Sequence, residues 1–333
     1  MKPAPFDYRS PATLDDVVTA LAEQPGARVL AGGQSLLPAL ARRALRPPLL
    51  VDLRAVPGLD RIDRTSQATL FIGARVTQRQ IERDHALAGE CPLLAETIRR
   101  VGHPQTRTRG TLVGGLAHAD PAAELPALLV ALDGVVHARG PRGDRRIGAD
   151  AFYLGPGRTA LAPDEVAVAV EIPSATTTPS PAVPTGTPGD AGGGTDDTGD
   201  LAVGGACVEV APRATVALCG ALATVARRAD GTVAAARIAL FGVAARPVRA
   251  RRAERAVLDG GPLDPALIAL LTREDLDAAR AADAELPDGE GGTNGASGTN
   301  GAAGAGADGG DYCREVAGEL VHRAIDRALV AAR

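Results

Sequence analysis

Residues 28–53 read RVLAGGQSLLPALARRALRPPLLVDL, and this stretch predicts how the first part of the chain folds. The apolar run at residues 28–31 is typical of a strand, residues 36–45 fit a helix, and residues 49–53 fit a second, buried strand. This order predicts a compact, parallel β-α-β unit. In the turn AGGQS, residues 31–35, the glycines add no bulk, so several backbone N–H groups can approach an anion such as a diphosphate.

A second glycine-rich segment, TLVGG at residues 111–115, begins 80 residues after the first. It lies between HPQTRTRG (103–110) and LAHADPAAELP (116–126). Neither glycine segment contains the G-x-G-x-x-G of a Rossmann fingerprint or the G-K-[ST] of a P-loop. Two such segments predict that the backbone surrounds one large anionic ligand from two sides.

Composition excludes several other classes of protein. The 333 residues carry a formal net charge of −4, whereas general binding of nucleic acid or a membrane surface requires a basic excess. The four cysteines are far apart and form no C-x-x-C pair, which argues against an iron–sulfur cluster, a zinc site or a disulfide scaffold in this chain. Residues 1–16 lack the apolar core of a signal peptide, and no apolar run approaches the ~20 residues of a membrane span. We therefore expect a cytoplasmic protein with reduced thiols and no membrane insertion.

Two low-complexity stretches, residues 174–200 and 287–310, hold too few apolar side chains to offset the entropy of ordering. We expect both to be disordered, and the first to be a linker between domains.

Thr13 and Asp16 have the spacing of a capping box, which predicts a helix start. Further helices are predicted near Thr77 and at 92–101, 122–132, 248–258, 265–279 and 312–331, and further strands at 70–74, 135–139, 166–172, 203–210, 215–225 and 233–243.

Several longer stretches resemble a known family, the FAD-binding medium subunits of molybdenum hydroxylases, which include xanthine dehydrogenase and aerobic carbon monoxide dehydrogenase. The two most specific are AGGQSLLP (31–38) and HADPAAELP (118–126). The others are VDLRAVPGL (51–59), IGARVTQRQIE (72–82), CPLLAETIRRVGHPQTRTRGTL (91–112), YLGPGRTALAPDE (153–165) and DYCREVAGELVHRAI (311–325). The resemblance covers nearly the whole chain except the two low-complexity stretches.

The resemblance implies an α+β fold: a two-lobed FAD-binding domain of the vanillyl-alcohol-oxidase (PCMH-type) superfamily, followed by a small α+β C-terminal domain. The implied lobes are residues 1–58 and 59–173, and the C-terminal domain is residues 201–333. In this family the FAD diphosphate lies between the two glycine segments, and acidic residues nearby contact the nucleotide. By position, the implied FAD-binding residues are Ala31, Gly32, Gly33, Gln34, Ser35, Leu36, Thr111, Leu112, Val113, Gly114, Gly115, Asp120 and Glu124.

The second segment departs from the family pattern, which is usually T-I-G-G-S or T-I-G-G-N. Val113 replaces a glycine, and Gly115 replaces the last polar residue. A β-branched residue disfavours positive φ, so Val113 weakens FAD binding if that backbone position needs it. Alternatively, Gly114 and Gly115 take over the role.

The resemblance implies an electron-transfer subunit that binds FAD and works only in a complex. The expected partners are a small [2Fe–2S] subunit and a large molybdopterin-binding subunit, in a dimer of heterotrimers. No residue here is expected to be catalytic in the acid–base sense or to bind a metal. His118 either approaches the flavin or a partner, or has a structural role. The basic cluster Arg99, Arg100, Arg107 and Arg109 suits a phosphate clamp, a docking face or a solvated helix face. Two other functions stay open: a scaffold subunit that has lost FAD, and a self-contained flavin oxidase.

Overall fold

The computed structural model describes residues 2–65, 69–174, 201–211, 217–261, 263–284 and 307–333. The predicted linker therefore lies outside the described residues except for Ser174, whose hydroxyl donates a 2.9 Å hydrogen bond to the Glu90 carbonyl. Of the second predicted loop, only residues 307–310 are described. They form the start of the last helix, so the loop prediction extended too far at that end.

The first sheet has three parallel strands, in the order β1-β3-β2. The Thr13 hydroxyl accepts a hydrogen bond from the Asp16 N–H (3.1 Å) at the predicted helix start. The predicted β-α-β unit is thus confirmed. The elements are β1 (Asp7–Arg9), α1 (Leu14–Glu23), β2 (Arg28–Leu30), α2 (Leu36–Ala41), β3 (Leu49–Asp52) and a 3-10 turn (Leu53–Ala55).

The second sheet has five antiparallel strands, which lie side by side in the order β4 (Ile62–Arg64), β5 (Thr69–Gly73), β10 (Val166–Pro173), β6 (Val135–Gly140) and β7 (Gly143–Gly148). A separate two-stranded ribbon, β8 (Tyr153–Gly155) and β9 (Arg158–Thr159), follows β7 in the chain. The helices of the second sheet are α3 (Gln78–Arg83), α4 (Leu87–Glu90), α5 (Pro92–Ile98), α6 (Pro104–Arg107), α7 (Leu112–His118), α8 (Glu124–Ala131) and α9 (Ala149–Phe152).

The C-terminal part is an antiparallel meander of four strands with three helices. The strands are β11 (Ala202–Val210), β12 (Cys219–Arg227), β13 (Val233–Phe241) and β14 (Val248–Arg249), in that order. The helices are α10 (Arg251–Leu258), α11 (Pro265–Ala284) and α12 (Ala307–Ala331). Strands followed by helices match the predicted α+β pattern.

Two glycines of the meander make close backbone contacts with the part of the chain that carries the second sheet's helices. A Cβ atom on Gly205 of β11 would lie 2.4 Å from the Leu93 nitrogen in α5, so only glycine allows this approach. The Gly242 N–H donates a 2.7 Å hydrogen bond to the Pro121 carbonyl. Cys207 and Phe241 of the meander are fully buried in the core that the first two sheets share. The meander is therefore joined to the rest of the chain by continuous packing.

The basic cluster does not act as a unit. Arg107 is only 5 % exposed, and its guanidinium donates to both carboxylate oxygens of Glu82, at 2.9 and 3.2 Å. Arg100 pairs instead with Glu96, one helical turn away (2.7 Å). At least these two guanidinium groups are therefore engaged by carboxylates of the chain itself. Within the described ranges, no helix is long and apolar enough to cross a membrane, and no group of three metal-ligating side chains is assembled.

Candidate functional site

At Gly32 the first glycine segment touches Arg109 and Gly110, the two residues that lead into the second segment. A Cβ atom on Gly32 would lie 2.2 Å from the Arg109 carbonyl oxygen and 2.8 Å from the Gly110 Cα atom. Real side chains essentially never approach backbone atoms this closely, so the contact requires glycine. The next residue, Gly33, has φ +74°, a left-handed conformation that also favours glycine. The sequence therefore keeps two glycines here for two different reasons.

The second segment is held in place by backbone hydrogen bonds on one side and a helix cap on the other. The Gly110 carbonyl accepts from the Gln78 N–H (2.8 Å), and the Leu112 N–H donates to the Val76 carbonyl (3.3 Å). The Thr111 hydroxyl then accepts from the Gly114 N–H (3.0 Å), as the N-cap of α7. What reads as a glycine loop in the sequence is thus the first turn of a helix.

A cavity of about 180 Å³ lies between the two segments. This volume is below the roughly 300–1,000 Å³ typical of a whole drug-sized ligand, so it suits one portion of a dinucleotide. Leu112 is absent from its wall because its side chain is completely buried in the core. The predicted site residues that the structure brings together on this wall are Ala31, Gly32, Gly33, Gln34, Ser35, Leu36, Thr111, Val113, Gly114 and Gly115.

The first segment offers a row of open hydrogen-bond donors. Within the described part of the chain, the N–H groups of residues 32–36 donate to no protein acceptor. The Gln34 side chain folds back, and its Nε2 donates to the Gly32 carbonyl (3.3 Å). Several unpaired backbone N–H groups beside small residues match what a diphosphate needs. The residues present therefore fit the phosphate portion of FAD.

The β-branched side chain of Val113 does not strain the backbone, because this position does not have positive φ. It is the second residue of α7 and is not among the non-glycine residues with positive φ, which are Arg43, Ala119 and Asp133 in the described chain. Its side chain is 2 % exposed and packs in the core. Its N–H, unlike that of Gly114, donates to no acceptor among the described residues. Val113 therefore adds a donor to the cavity without needing positive φ.

Because Gly115 has no side chain, the side chain of Leu125 occupies the space beside it. A Cβ atom there would lie 2.4 Å from Cδ1 of Leu125, in the neighbouring helix α8. The polar side chain that the family pattern has at this position is thus replaced by packing of Leu125.

The two predicted acidic residues are not on the cavity wall. Asp120 closes a turn, in which its Oδ1 accepts from the Ala122 N–H (3.0 Å). Glu124 is 6 % exposed at the start of α8, and burial raises its pKa to about 7, with smaller contributions from Glu209 and Asp120. Glu209 itself pairs loosely with Arg100 (3.8 Å). The predicted contact of Asp120 and Glu124 with FAD stays a prediction.

Four polar residues outside the predicted FAD-binding set line the same cavity: Arg28, Gln78, His118 and Glu165. Burial lowers the pKa of His118, and the nearby Asp120 partly opposes this. Glu165 is engaged by the Arg145 guanidinium (2.7 Å). No local pattern could have revealed Gln78, because its neighbours Thr77 and Gln80 form an ordinary capping box.

Two family models match the chain. Residues 4–175 match the FAD binding domain in molybdopterin dehydrogenase, and residues 206–284 match the CO dehydrogenase flavoprotein C-terminal domain.

Curated relatives point the same way. The nicotine 6-hydroxylase medium subunit of Paenarthrobacter nicotinovorans is 42% identical over 174 residues, which cover 52% of this chain and 61% of that protein. The chain thus spans less than two thirds of that relative's length. The 6-hydroxypseudooxynicotine dehydrogenase complex subunit alpha of the same organism is 34% identical over 264 residues, covering 78% of this chain and 80% of that protein.

A solved structure of carbon monoxide dehydrogenase from Hydrogenophaga pseudoflava contains a chain that superposes with a TM-score of 0.76 at 29% sequence identity. The superposition covers 99% of both chains. The fold is thus the predicted PCMH-type FAD-binding fold with a C-terminal α+β domain. Since the first family model alone covers more than half of the sequence, and both glycine segments lie within it, the chain belongs to the family of FAD-binding domains of molybdopterin dehydrogenases.

Proposed function

We propose that this chain is the FAD-binding medium subunit of a molybdenum-containing hydroxylase or dehydrogenase, and that it transfers electrons within that complex. It would receive them from [2Fe–2S] clusters on a small subunit and pass them to an external acceptor. The molybdopterin cofactor would lie on a large subunit, where substrate is oxidised. The assembly would be a dimer of heterotrimers in the cytoplasm, with this chain active only in the complex.

The observation that carries the proposal is the row of backbone N–H groups of residues 32–36 that donate to no described acceptor, on the wall of a cavity that Val113 also lines. In this role the first segment would bind the diphosphate, and the contact of Gly32 with Arg109 and Gly110 would fix the distance between the two walls. When bound, FAD supplies the ability to exchange electrons singly or in pairs. The chain's own residues bind and orient it, and no side chain need exchange a proton with substrate.

The names of two relatives support the proposed partners. The nicotine 6-hydroxylase and carbon monoxide dehydrogenase relatives are both named as medium subunits or chains. A fold that has lost FAD is not favoured by the cavity, because Val113, the residue that motivated that alternative, keeps its N–H open.

The test is to co-express the chain with the proposed small and large subunits, and to purify the complex through a tag on this chain. We expect one FAD per chain by flavin absorbance after heat release, and flavin bleaching under anaerobic conditions when the substrate of the complex is added. A stable but colourless complex would overturn the proposal. Turnover of an organic substrate by this chain alone would instead favour a self-contained oxidase.

A further inference from the structure

Gln78, the first residue of α3, has a buried side chain with an unmet hydrogen-bonding requirement. Its side chain is 5 % exposed and lines the cavity between the glycine segments. Oε1 is buried and has no hydrogen-bond partner among the residues that the structure describes. The other end of the amide, Nε2, is not among the fully buried unpaired atoms, lies beside Gly115 of the cavity wall, and donates to no acceptor among the described residues. Buried polar groups are nearly always paired, so an amide kept in this state needs an explanation.

Contacts with Gly110 and Gly115 place the side-chain amide of Gln78 next to the second glycine segment. The Gln78 backbone N–H donates to the Gly110 carbonyl (2.8 Å), which fixes the start of α3 against the segment. A Cβ atom on Gly110 would lie 2.9 Å from Oε1, and one on Gly115 would lie 3.9 Å from Nε2. Both glycines thus leave space that the amide uses. Because Gly110 also packs on Gly32, the amide lies next to the contact between the two walls.

A leucine would fill a comparable volume at this position without an unpaired oxygen. Retention of the amide is explained if Nε2 has a partner that enters the cavity from outside the protein. The open groups on the wall nearby are backbone N–H donors, so that partner is an acceptor, and phosphate oxygens are the acceptors of the proposed cofactor that such donors collect around.

We propose that Gln78 is a further FAD-binding residue, whose Nε2 donates a hydrogen bond to the diphosphate. This inference rests on the proposed function, since it requires that FAD is the ligand. It assigns a side-chain donor to a subsite that otherwise uses backbone donors.

The experiment compares wild type with the variants Gln78→Leu and Gln78→Glu, using the full chain in its complex after removal of FAD. Gln105→Leu is the matched control, because Gln105 is exposed on α6 and away from the cavity wall. FAD dissociation constants are measured by quenching of flavin fluorescence, and ADP is titrated as a competitor that carries only the diphosphate and adenosine. Thermal unfolding of the FAD-free proteins is recorded in parallel.

We expect Gln78→Leu to weaken FAD and ADP by roughly 10- to 100-fold, as for loss of one hydrogen bond to a charged group. Gln78→Glu should weaken both further, because it places a carboxylate beside the diphosphate. The FAD-free Gln78→Leu protein should unfold at the wild-type temperature or above, since it loses an unpaired buried oxygen.

An unchanged dissociation constant in Gln78→Leu, with wild type binding FAD normally, would overturn this inference and leave the proposed function intact. FAD binding by Gln78→Glu at wild-type strength would also overturn it. A lower unfolding temperature of FAD-free Gln78→Leu, with proportionate loss of FAD, would show that the amide only supports the fold. Failure of wild type itself to bind FAD would overturn both proposals.

Discussion

Replacing Gly32 by alanine should separate the two walls of the cavity. The new methyl group would lie 2.2 Å from the Arg109 oxygen, 2.8 Å from the Gly110 Cα atom and 2.9 Å from the Arg109 carbonyl carbon. All three are backbone atoms, and Gly110 is further held by its hydrogen bond from Gln78. Since no flexible side chain can move aside, one segment must shift by about an ångström to bring the methyl group to ordinary van der Waals distance.

Two costs follow from that shift. Overpacking of this kind typically lowers the free energy of unfolding by about 1–3 kcal/mol. A wall displaced by an ångström also loses good geometry for at least one hydrogen bond to the diphosphate, and bonds to charged groups contribute about 1.5–3 kcal/mol each. We therefore expect the dissociation constant of FAD to rise by a factor of about 10 to 150.

The assay is flavin fluorescence titration of Gly32→Ala, with urea unfolding of the FAD-free protein. Gly89→Ala is the matched control, because Gly89 lies within α4 and a Cβ atom there would meet nothing within 4 Å. That control should bind FAD as wild type does, with equal or slightly higher stability, since alanine favours helix. Wild-type FAD affinity in Gly32→Ala would refute the idea that this contact sets the spacing of the walls.

Three further changes test other parts of the reasoning. Val113→Gly should lower the free energy of unfolding by roughly 2–4 kcal/mol, through lost burial and a glycine in a helix, but change the FAD dissociation constant less than threefold; a large gain in affinity would show that the valine obstructs the site. The Arg107 guanidinium lowers the pKa of Glu82 to about 2. The ionised carboxylate therefore stabilises the fold above its unfolded pKa of about 4.5, and this stabilisation is lost as the pH falls towards 2. In urea titrations the free energy of unfolding of Glu82→Gln should be lower than that of wild type by about 1.5–3 kcal/mol at pH 7, and it should depend less on acid pH. Burial raises the pKa of Glu124 to about 7, so this residue destabilises the fold increasingly as the pH rises from about 4.5 to 7. Glu124→Gln should therefore be more stable than wild type at pH 8, on the order of 1–3 kcal/mol, and equally stable near pH 4. Equal stability of the two proteins at both pH values would contradict this.

The sequence predicts elements well where the apolar period is clear. The β-α-β unit at residues 28–53 and the strands and helices of the C-terminal part follow directly from that period. Strand β7 does not, because GDRRIG is mostly polar and exposed, and its place is set by pairing with β6. Helix α7 is also missed, because two adjacent glycines disfavour a helix and its start depends on the Thr111 cap.

The candidate site can likewise be predicted from the sequence only where the signal is local. The glycine segments are local signals, so most of the cavity wall can be predicted from them. Glycine pairs do not show which N–H groups stay open, since Gly114 is already satisfied by Thr111 while Val113 is not. Gln78 reaches the wall only through the fold, by way of its contact with Gly110. Tertiary contacts of this kind leave no periodic pattern in a sequence.

The anchoring of the second segment also bears on how fast the cofactor is taken up. Backbone hydrogen bonds to Val76 and Gln78 and the Thr111 cap come from the chain itself, so the walls are set before any ligand arrives. Little conformational entropy remains to be lost on association. Rebinding of FAD to the stripped protein should therefore be a single second-order process, whose rate rises linearly with FAD concentration, without a slow isomerisation that limits it.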